Sequence, residues 1–392
     1  MKNRMPITFL GWLICGLLLS SAVHSQSNIP KPTSKMVDVG STKLWMESAG
    51  TGGPTVVLEF GLGGPPHTWD GIFPEIAKFT KVVKYHRAGY GKSNLPTTPR
   101  TFTNVATELH EMLRRENVPG PYVLAGHSLG NGFIRAFAHL FPEEVAGIVF
   151  VDPLNTRIFD LISEEEKKKD AEWVVEFIKK APPGPKAEVE FLTTDEKDFK
   201  ELRSFNKPPD VPLMLLVAGR NEGGPTWTRA VVEEYGPWIY DSAEGSLIVD
   251  PESSHYIHRD NPALVIESIR RVVFPSVYRR LSRLLRESGT DAAVAGYREM
   301  RKRYPREYFR ESDLNSLGYQ RLNAKDAKGA IALFKLNVEV FPNASNAYDS
   351  LGEAYMVDGQ KGLAIRNYRR SLELDPINTN AAEMIKKLEV SK

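Results

Sequence analysis

The feature that most restricts this chain is the junction at Tyr122–Leu140. There a short apolar run, Tyr122–Ala125, meets Gly126-His127-Ser128-Leu129-Gly130, and helical periodicity follows over Gly132–Leu140. A serine framed this way needs a strand that turns into a helix within about two residues. Its backbone dihedrals are strained, so the positions two before and two after it must be small, and Gly126 and Gly130 meet that need. The turn lifts the hydroxyl clear of the sheet. The new helix then aims its first backbone N–H groups at negative charge developing beside it. One pentapeptide thus predicts a buried strand, a helix and a nucleophile.

The surrounding pattern supplies the sheet that such a turn requires. Lys43–Glu47 and Thr55–Phe60 read as strands, the second almost wholly apolar, as for a strand buried on both faces. Val82–Tyr85, Ile148–Val151, Leu213–Ala218 and Ser246–Val249 extend the series, with helical patterns between them at Asn104–Glu116 and Ala263–Val273. Strands alternating with helices predict an α/β fold with a mostly parallel sheet over residues 36–275. Residues 154–210 interrupt the rhythm with the charged stretch Ser163–Asp170 and a Pro/Gly cluster at Ala181–Pro185. They are expected to form a lid inserted between two strands. Trp173, Phe177 and Phe191 are candidates to line an apolar acyl site there; Trp173 and Phe177, at helical spacing, are equally candidates to pack lid against body.

A serine hydroxyl attacks only when a base takes its proton. His255 follows the last strand and precedes the last helix of this pattern, within Ser253-Ser254-His255-Tyr256-Ile257-His258. The order of nucleophile first and base last favours it over His258. His110 and His139 fall inside helical patterns. The histidine in turn needs a carboxylate to orient its ring. Asp152 ends one strand and Glu222 follows another, and the two stay open, with Asp152 taken first and Asp250 a weaker third. An oxyanion needs two N–H donors. Leu129 offers one, and Leu62, in Phe60-Gly61-Leu62-Gly63-Gly64, offers the other, since the glycines let backbone approach the substrate closely.

These motifs together resemble the α/β-hydrolase superfamily, in its branch of small serine esterases. The matching pieces are Val57–Gly64, Arg87-Ala88-Gly89-Tyr90-Gly91-Lys92-Ser93, Gly126–Gly130, Val149–Pro153 and the segment from Ser254 to Pro262. The resemblance implies a Ser–His–acid triad and no cofactor. It departs at His86, where many members are acidic, at Asn131, where many have glycine, and at Glu222, where many have aspartate. Relatives that open epoxides use a carboxylate at the elbow, and this chain has serine. Acyl transfer to water, on an ester or similar small-molecule substrate, is therefore the expected chemistry. Carbon–carbon or amide bond hydrolysis by the same triad is the alternative.

Beyond residue 275 the chain repeats itself at an offset of 34. Leu317-Gly318 recurs as Leu351-Gly352, Ala330-Ile331 as Ala364-Ile365, Phe334 as Tyr368 and Pro342 as Pro376. The period resembles the tetratricopeptide helix–turn–helix, with two repeats across 312–388. A helical hairpin over 278–311 precedes them and supplies the neighbour that a short array needs. Over 278–310 its ten basic residues against four acidic make a solvated face, or a site for an acidic partner. The repeats are expected to bind a protein partner or to self-associate. Were they the whole function, the hydrolase body would be a silent scaffold.

Charge and cysteine usage narrow the rest. With 51 basic and 49 acidic residues the formal charge is +2, which gives no pull toward nucleic acid. The single cysteine, Cys15, allows neither a disulfide framework nor a zinc–thiolate site, and no metal is expected. It lies within residues 1–25, where Lys2 and Arg4 precede an apolar run from Ile7 to Leu19 and small residues follow. That arrangement reads as a secretory signal peptide, too short for the ~20 residues of a membrane span. Residues 26–35, with Pro30 and Pro32, then read as a flexible leader to an exported protein with no membrane span.

Overall fold

The computed structural model describes residues 31–390, apart from 65–66, 195–198, 206, 221–223, 243 and 305. The segment expected to be a signal peptide and Glu222 lie outside the described residues. Eight strands form one sheet: β1 (Thr33–Asp38), β2 (Lys43–Ala49), β3 (Thr55–Glu59), β4 (Val82–Tyr85), β5 (Tyr122–Ser128), β6 (Val145–Pro153), β7 (Leu213–Ala218) and β8 (Gly245–Asp250). Their spatial order is β1-β2-β4-β3-β5-β6-β7-β8. β1 and β2 pair antiparallel, β2 meets β4 antiparallel, and every pairing from β4 to β8 is parallel. Thr33–Lys35, expected in the leader, instead pair with Met46–Ser48 of β2 as its outer neighbour, Thr33 opposite Ser48. Only Val37 of β1 is buried, so its composition hides the strand.

The helices of this part are α1 (Phe73–Ala77), α2 (Phe102–Arg115), α3 (Gly130–Leu140), α4 (Ile158–Leu161), α5 (Glu164–Lys180), α6 (Pro183–Thr194), α7 (Lys200–Ser204), α8 (Gly224–Asp241), α9 (Ile257–Asp260) and α10 (Pro262–Val273). They cover both faces of the sheet, which explains the continuous apolar strands. Val57, Leu124, Ile148, Phe150, Leu215 and Val217 point into a core shared with α2, α3 and α8. Their neighbours Val56, Leu58, Val123, Val149 and Leu216 point the other way, against α1 and α10. Side chains alternate along a strand, so both sets must be apolar. The inserted segment 154–210 carries α4 to α7. Phe191 packs edge-on against Phe102 of the body, its ring centroid 6.2 Å away, and is buried in the core rather than free to line an acyl site.

The C-terminal region is helical: α11 (Val277–Arg303), α12 (Glu311–Asn323), α13 (Ala327–Val340), α14 (Ser345–Val357), α15 (Lys361–Leu374) and α16 (Thr379–Val390). α11, α12, α14 and α16 begin at residues 277, 311, 345 and 379, a constant step of 34. α11 is broken at Gly289, whose φ of 85° lies in the left-handed region, so it forms a helical pair by itself. Close packing repeats with the same step. A Cβ on Gly318 would collide with the Phe334 ring, and one on Gly352 would lie 2.9 Å from the Tyr368 ring. Ser276 caps α11 through the Arg279 N–H, and its own N–H donates to Glu244 Oε2 (2.8 Å), tying tail to body. Among the described residues no helix is long and apolar enough to cross a membrane.

Candidate active site

The parallel strands end on one edge of the sheet, where open α/β sheets place their sites. Ser128 closes β5 with φ at 52°, a left-handed conformation that costs a non-glycine residue about 1–3 kcal/mol. The glycines around it are required by contact. A Cβ on Gly126 would sit 2.8 Å from Asn131 Oδ1, and one on Gly130 would sit 2.7 Å from the Glu59 and Phe60 carbonyl oxygens. Asn131, unusual by the resemblance, is fully buried, and its Nδ2 donates to the carbonyls of Ser128 (3.2 Å) and Val151 (3.3 Å). The Leu154 N–H also donates to the Ser128 carbonyl (3.1 Å). The strained turn is thereby bolted to β6.

Asp152, at the end of β6, is fully buried and itself left-handed, with φ at 36°. One carboxylate oxygen accepts the Ala218 N–H (2.9 Å) and the other lies 2.6 Å from His255 Nδ1. Of the carboxylates named from the sequence, the structure therefore brings Asp152 to His255. Asp250 does not reach it: its oxygens accept from Ser253 Oγ (2.7 Å), Asn261 Nδ2 (2.9 Å) and the Glu252 N–H (3.3 Å), shaping the loop that carries His255.

His258 is an interior residue. It is buried, its ring packs on Trp69 with centroids 4.9 Å apart, and burial followed by the charge of Arg259 pulls its pKa down to about 3. His127 has a role the sequence did not suggest. Its Nε2–H donates to the His255 carbonyl (2.9 Å), and its ring lies 4.6 Å from the His255 ring. Burial, and then His255 and His258, hold its pKa well below the ordinary value, so it stays neutral. His110 pairs with Glu144 (2.9 Å) and stacks on Phe141, away from the site.

The Gly-rich loop after β3 lies against the serine: a Cβ on Gly61 would come 2.9 Å from the Ser128 Cβ. Its next residue is Leu62. Among the described residues the N–H groups of Leu62 and Leu129 donate no hydrogen bond, which leaves both available to an incoming oxyanion. Phe177, on α5, covers the loop, its Cζ 3.6 Å from a Cβ placed on Gly63, and Trp173 stacks on it with centroids 5.0 Å apart. Trp173 is half exposed. Among the described residues no cluster of ligating side chains could hold a metal ion.

A buried charge network under this loop went unread in the sequence. Arg87 is fully buried between Glu59 and Glu188, also buried, with Tyr85 and Tyr90 hydrogen-bonded to the two carboxylates. Glu59 was a visible signal, a charge inside an otherwise apolar strand, whereas nothing local marked Glu188. His86, the other departure, is a neutral acceptor: its Nδ1 takes the Lys92 N–H (3.0 Å), and burial pulls its pKa to about 4.

Residues 54–209 match the model of a family described as the alpha/beta hydrolase fold. The chain is 27% identical over 219 residues to the uncharacterized protein YqjL of Bacillus subtilis (strain 168), covering 55% of this chain and 82% of that one. It is 28% identical over 138 residues to the probable transporter efuK of Hormonema carpetanum, covering 33% of this chain and a span equal to 20% of that protein. Among solved structures, the Cif epoxide hydrolase from Acinetobacter nosocomialis shares the fold with a TM-score of 0.52 and 17% identity, over 62% of this chain and 89% of that one.

Proposed function

We propose that this chain, whose first large domain has the α/β-hydrolase fold, is an exported serine hydrolase acting on an ester or similar acyl substrate. The observation that carries the reading is the buried Asp152 carboxylate, shared between the Ala218 N–H and His255 Nδ1 beside a strained serine. Asp152 keeps the proton of His255 on Nδ1, which frees Nε2 to take the Ser128 proton. The Ser128 oxygen attacks the substrate carbonyl. The tetrahedral oxyanion is met by the N–H groups of Leu62 and Leu129, and the N-terminal end of α3 adds its dipole. His255 then protonates the leaving alkoxide, and water, deprotonated by the same histidine, cleaves the acyl-enzyme. The α5 aromatics Trp173 and Phe177 offer the acyl group an apolar wall.

The C-terminal helices, stepping by 34 residues, support a tetratricopeptide-like array that binds a protein partner or a second copy of the chain. The charged and small-residue pattern at the N-terminus supports export. A fluorophosphonate probe tests the catalytic reading. It should label the wild type and spare Ser128→Ala; a wild type that fails to label would return the body to a scaffold role. A series of acyl esters of rising chain length, run beside amide and carbon–carbon substrates, then ranks the substrate classes.

A further inference from the structure

We propose that Glu188 is a positioning residue through which the inserted α6 helix seats the loop bearing the Leu62 N–H, so that the oxyanion site is complete only with the cap in place. The inference rests on the serine-hydrolase reading above. α6 meets the body backbone to backbone: a Cβ on Gly184 would come 2.7 Å from the Gly89 carbonyl group, and one on Gly89 would come 2.5 Å from the Gly184 Cα. Neither side tolerates a side chain, which fixes the height of the helix over the Arg87–Gly91 loop. Glu188 lies one turn further along the same face of α6.

From there the contacts form an unbroken path to the oxyanion loop. Glu188 Oε1 accepts from Arg87 Nε (2.6 Å), and Oε2 accepts from Arg87 Nη2 (3.0 Å) and from the Tyr90 hydroxyl (2.6 Å). The guanidinium passes the constraint on, donating to the carbonyls of Phe60 (2.6 Å) and Gly61 (3.1 Å) and to Glu59 Oε1 (2.5 Å). The Tyr90 oxygen also accepts the Gly63 N–H at 3.3 Å. Phe60, Gly61 and Gly63 therefore have backbone groups held by residues that Glu188 holds in turn, and Leu62 sits among them.

The chemistry explains why the path is stiff. A guanidinium with no access to water keeps its geometry only if its donors are satisfied, and a forked carboxylate is the partner that does so. Its charge also lies over the Phe60 ring, 3.8 Å from the centroid. Removing Glu188 leaves a buried cation short of a partner, free to pull on the carbonyls it retains. A displacement of a donor by a fraction of an ångström is felt most in the transition state, where the oxyanion exists.

The test compares Glu188→Gln, Tyr90→Phe and the double variant with the wild type. The readouts are the rate of fluorophosphonate labelling, kcat and KM on p-nitrophenyl butyrate, and Tm. Glu188→Gln should lower the labelling rate and kcat by roughly 10–100-fold while KM moves less than about threefold. Tyr90→Phe, which removes one oxygen and keeps the ring, should lower kcat in the same direction. The double variant should cost little more than the worse single one, because both act along one path. Wild-type labelling and kcat in Glu188→Gln, with Ser128 still the labelled residue, would overturn the clamp and leave the serine reading intact. Strictly additive losses, or a rise in KM alone, would equally overturn it and make Glu188 a cap-packing residue. A wild type that does not label at Ser128 would instead remove the serine reading, and this inference with it.

Discussion

The α/β body and the helical tail solve the problem of holding a chain together in opposite ways. In the body, position matters once. Ser128 and Asp152 are both left-handed non-glycine residues, and each is held by a partner far away in sequence. Arg87 is buried with its full charge, satisfied by side chains 28 and 101 residues distant. In the tail, position recurs. Gly318 faces Phe334 as Gly352 faces Tyr368, and Tyr319 hydrogen-bonds Glu353, 34 residues on, at 2.8 Å. Neighbour packs on neighbour, and no unit needs a distant one. Two of the five left-handed non-glycine residues among the described ones, Ser128 and Asp152, lie at the edge of the sheet where chemistry is proposed, whereas the tail has one, Lys325, in the turn between α12 and α13.

The largest expected effect breaks the body alone. Asp152→Asn should lower kcat about 10⁴-fold by releasing the His255 tautomer, while Glu222→Gln should cost less than about tenfold. Esterase kinetics on the two purified variants decide between them, and the reverse ranking would move the acid to Glu222. Next comes the tail. Tyr368→Ala removes a fully buried ring from the α14–α15 contact and should cost about 3–5 kcal/mol. Hydrogen exchange should show protection lost from α14 to α16, with fluorophosphonate labelling within twofold of wild type. A tenfold fall in labelling would mean that the two regions are coupled.

A smaller effect sharpens the contrast through pH. His258 and His86 are held neutral, with pKa values drawn to about 3 and about 4, against about 6.5 in the unfolded chain. Below pH 6.5 the unfolded state therefore takes up protons that the folded state refuses. Body stability should be complete above about pH 6.5 and fall as pH drops toward 4, by up to ~1.4 kcal/mol per unit for each histidine. Urea denaturation followed by tryptophan fluorescence should show that slope, reduced in His258→Phe. The smallest change concerns one helix end. Asp326 accepts the Gly329 N–H (2.9 Å) to cap α13, and Asp326→Ala should cost about 1 kcal/mol in thermal unfolding of the tail without altering kinetics.

Much of this architecture is legible in the sequence. The strand runs were readable because a parallel sheet covered on both faces must be apolar at consecutive positions, as at Leu213–Ala218. The elbow was readable because all its demands fall within five residues. The step of 34 was readable as arithmetic, although the hairpin from Val277 was not recognised as a further unit of it. At the same offset it carries Arg283-Leu284 where the later units have Leu-Gly, and Tyr308 where they have proline. β1 was missed because four of its first residues face water.

What the sequence by itself determined is local: a strained serine between two small residues, a histidine placed after the last strand, and helices recurring at one period. Which carboxylate meets His255, why His127 must stay neutral and what holds Leu62 in place were decided by the tertiary structure alone. The reason is geometric. Asp152 and His255 are 103 residues apart, Arg87 and Glu188 are 101 apart, and their meeting depends on the order of strands in the sheet and on where the inserted helix lands. No spacing along the chain encodes that order, whereas a turn of five residues carries its own instructions.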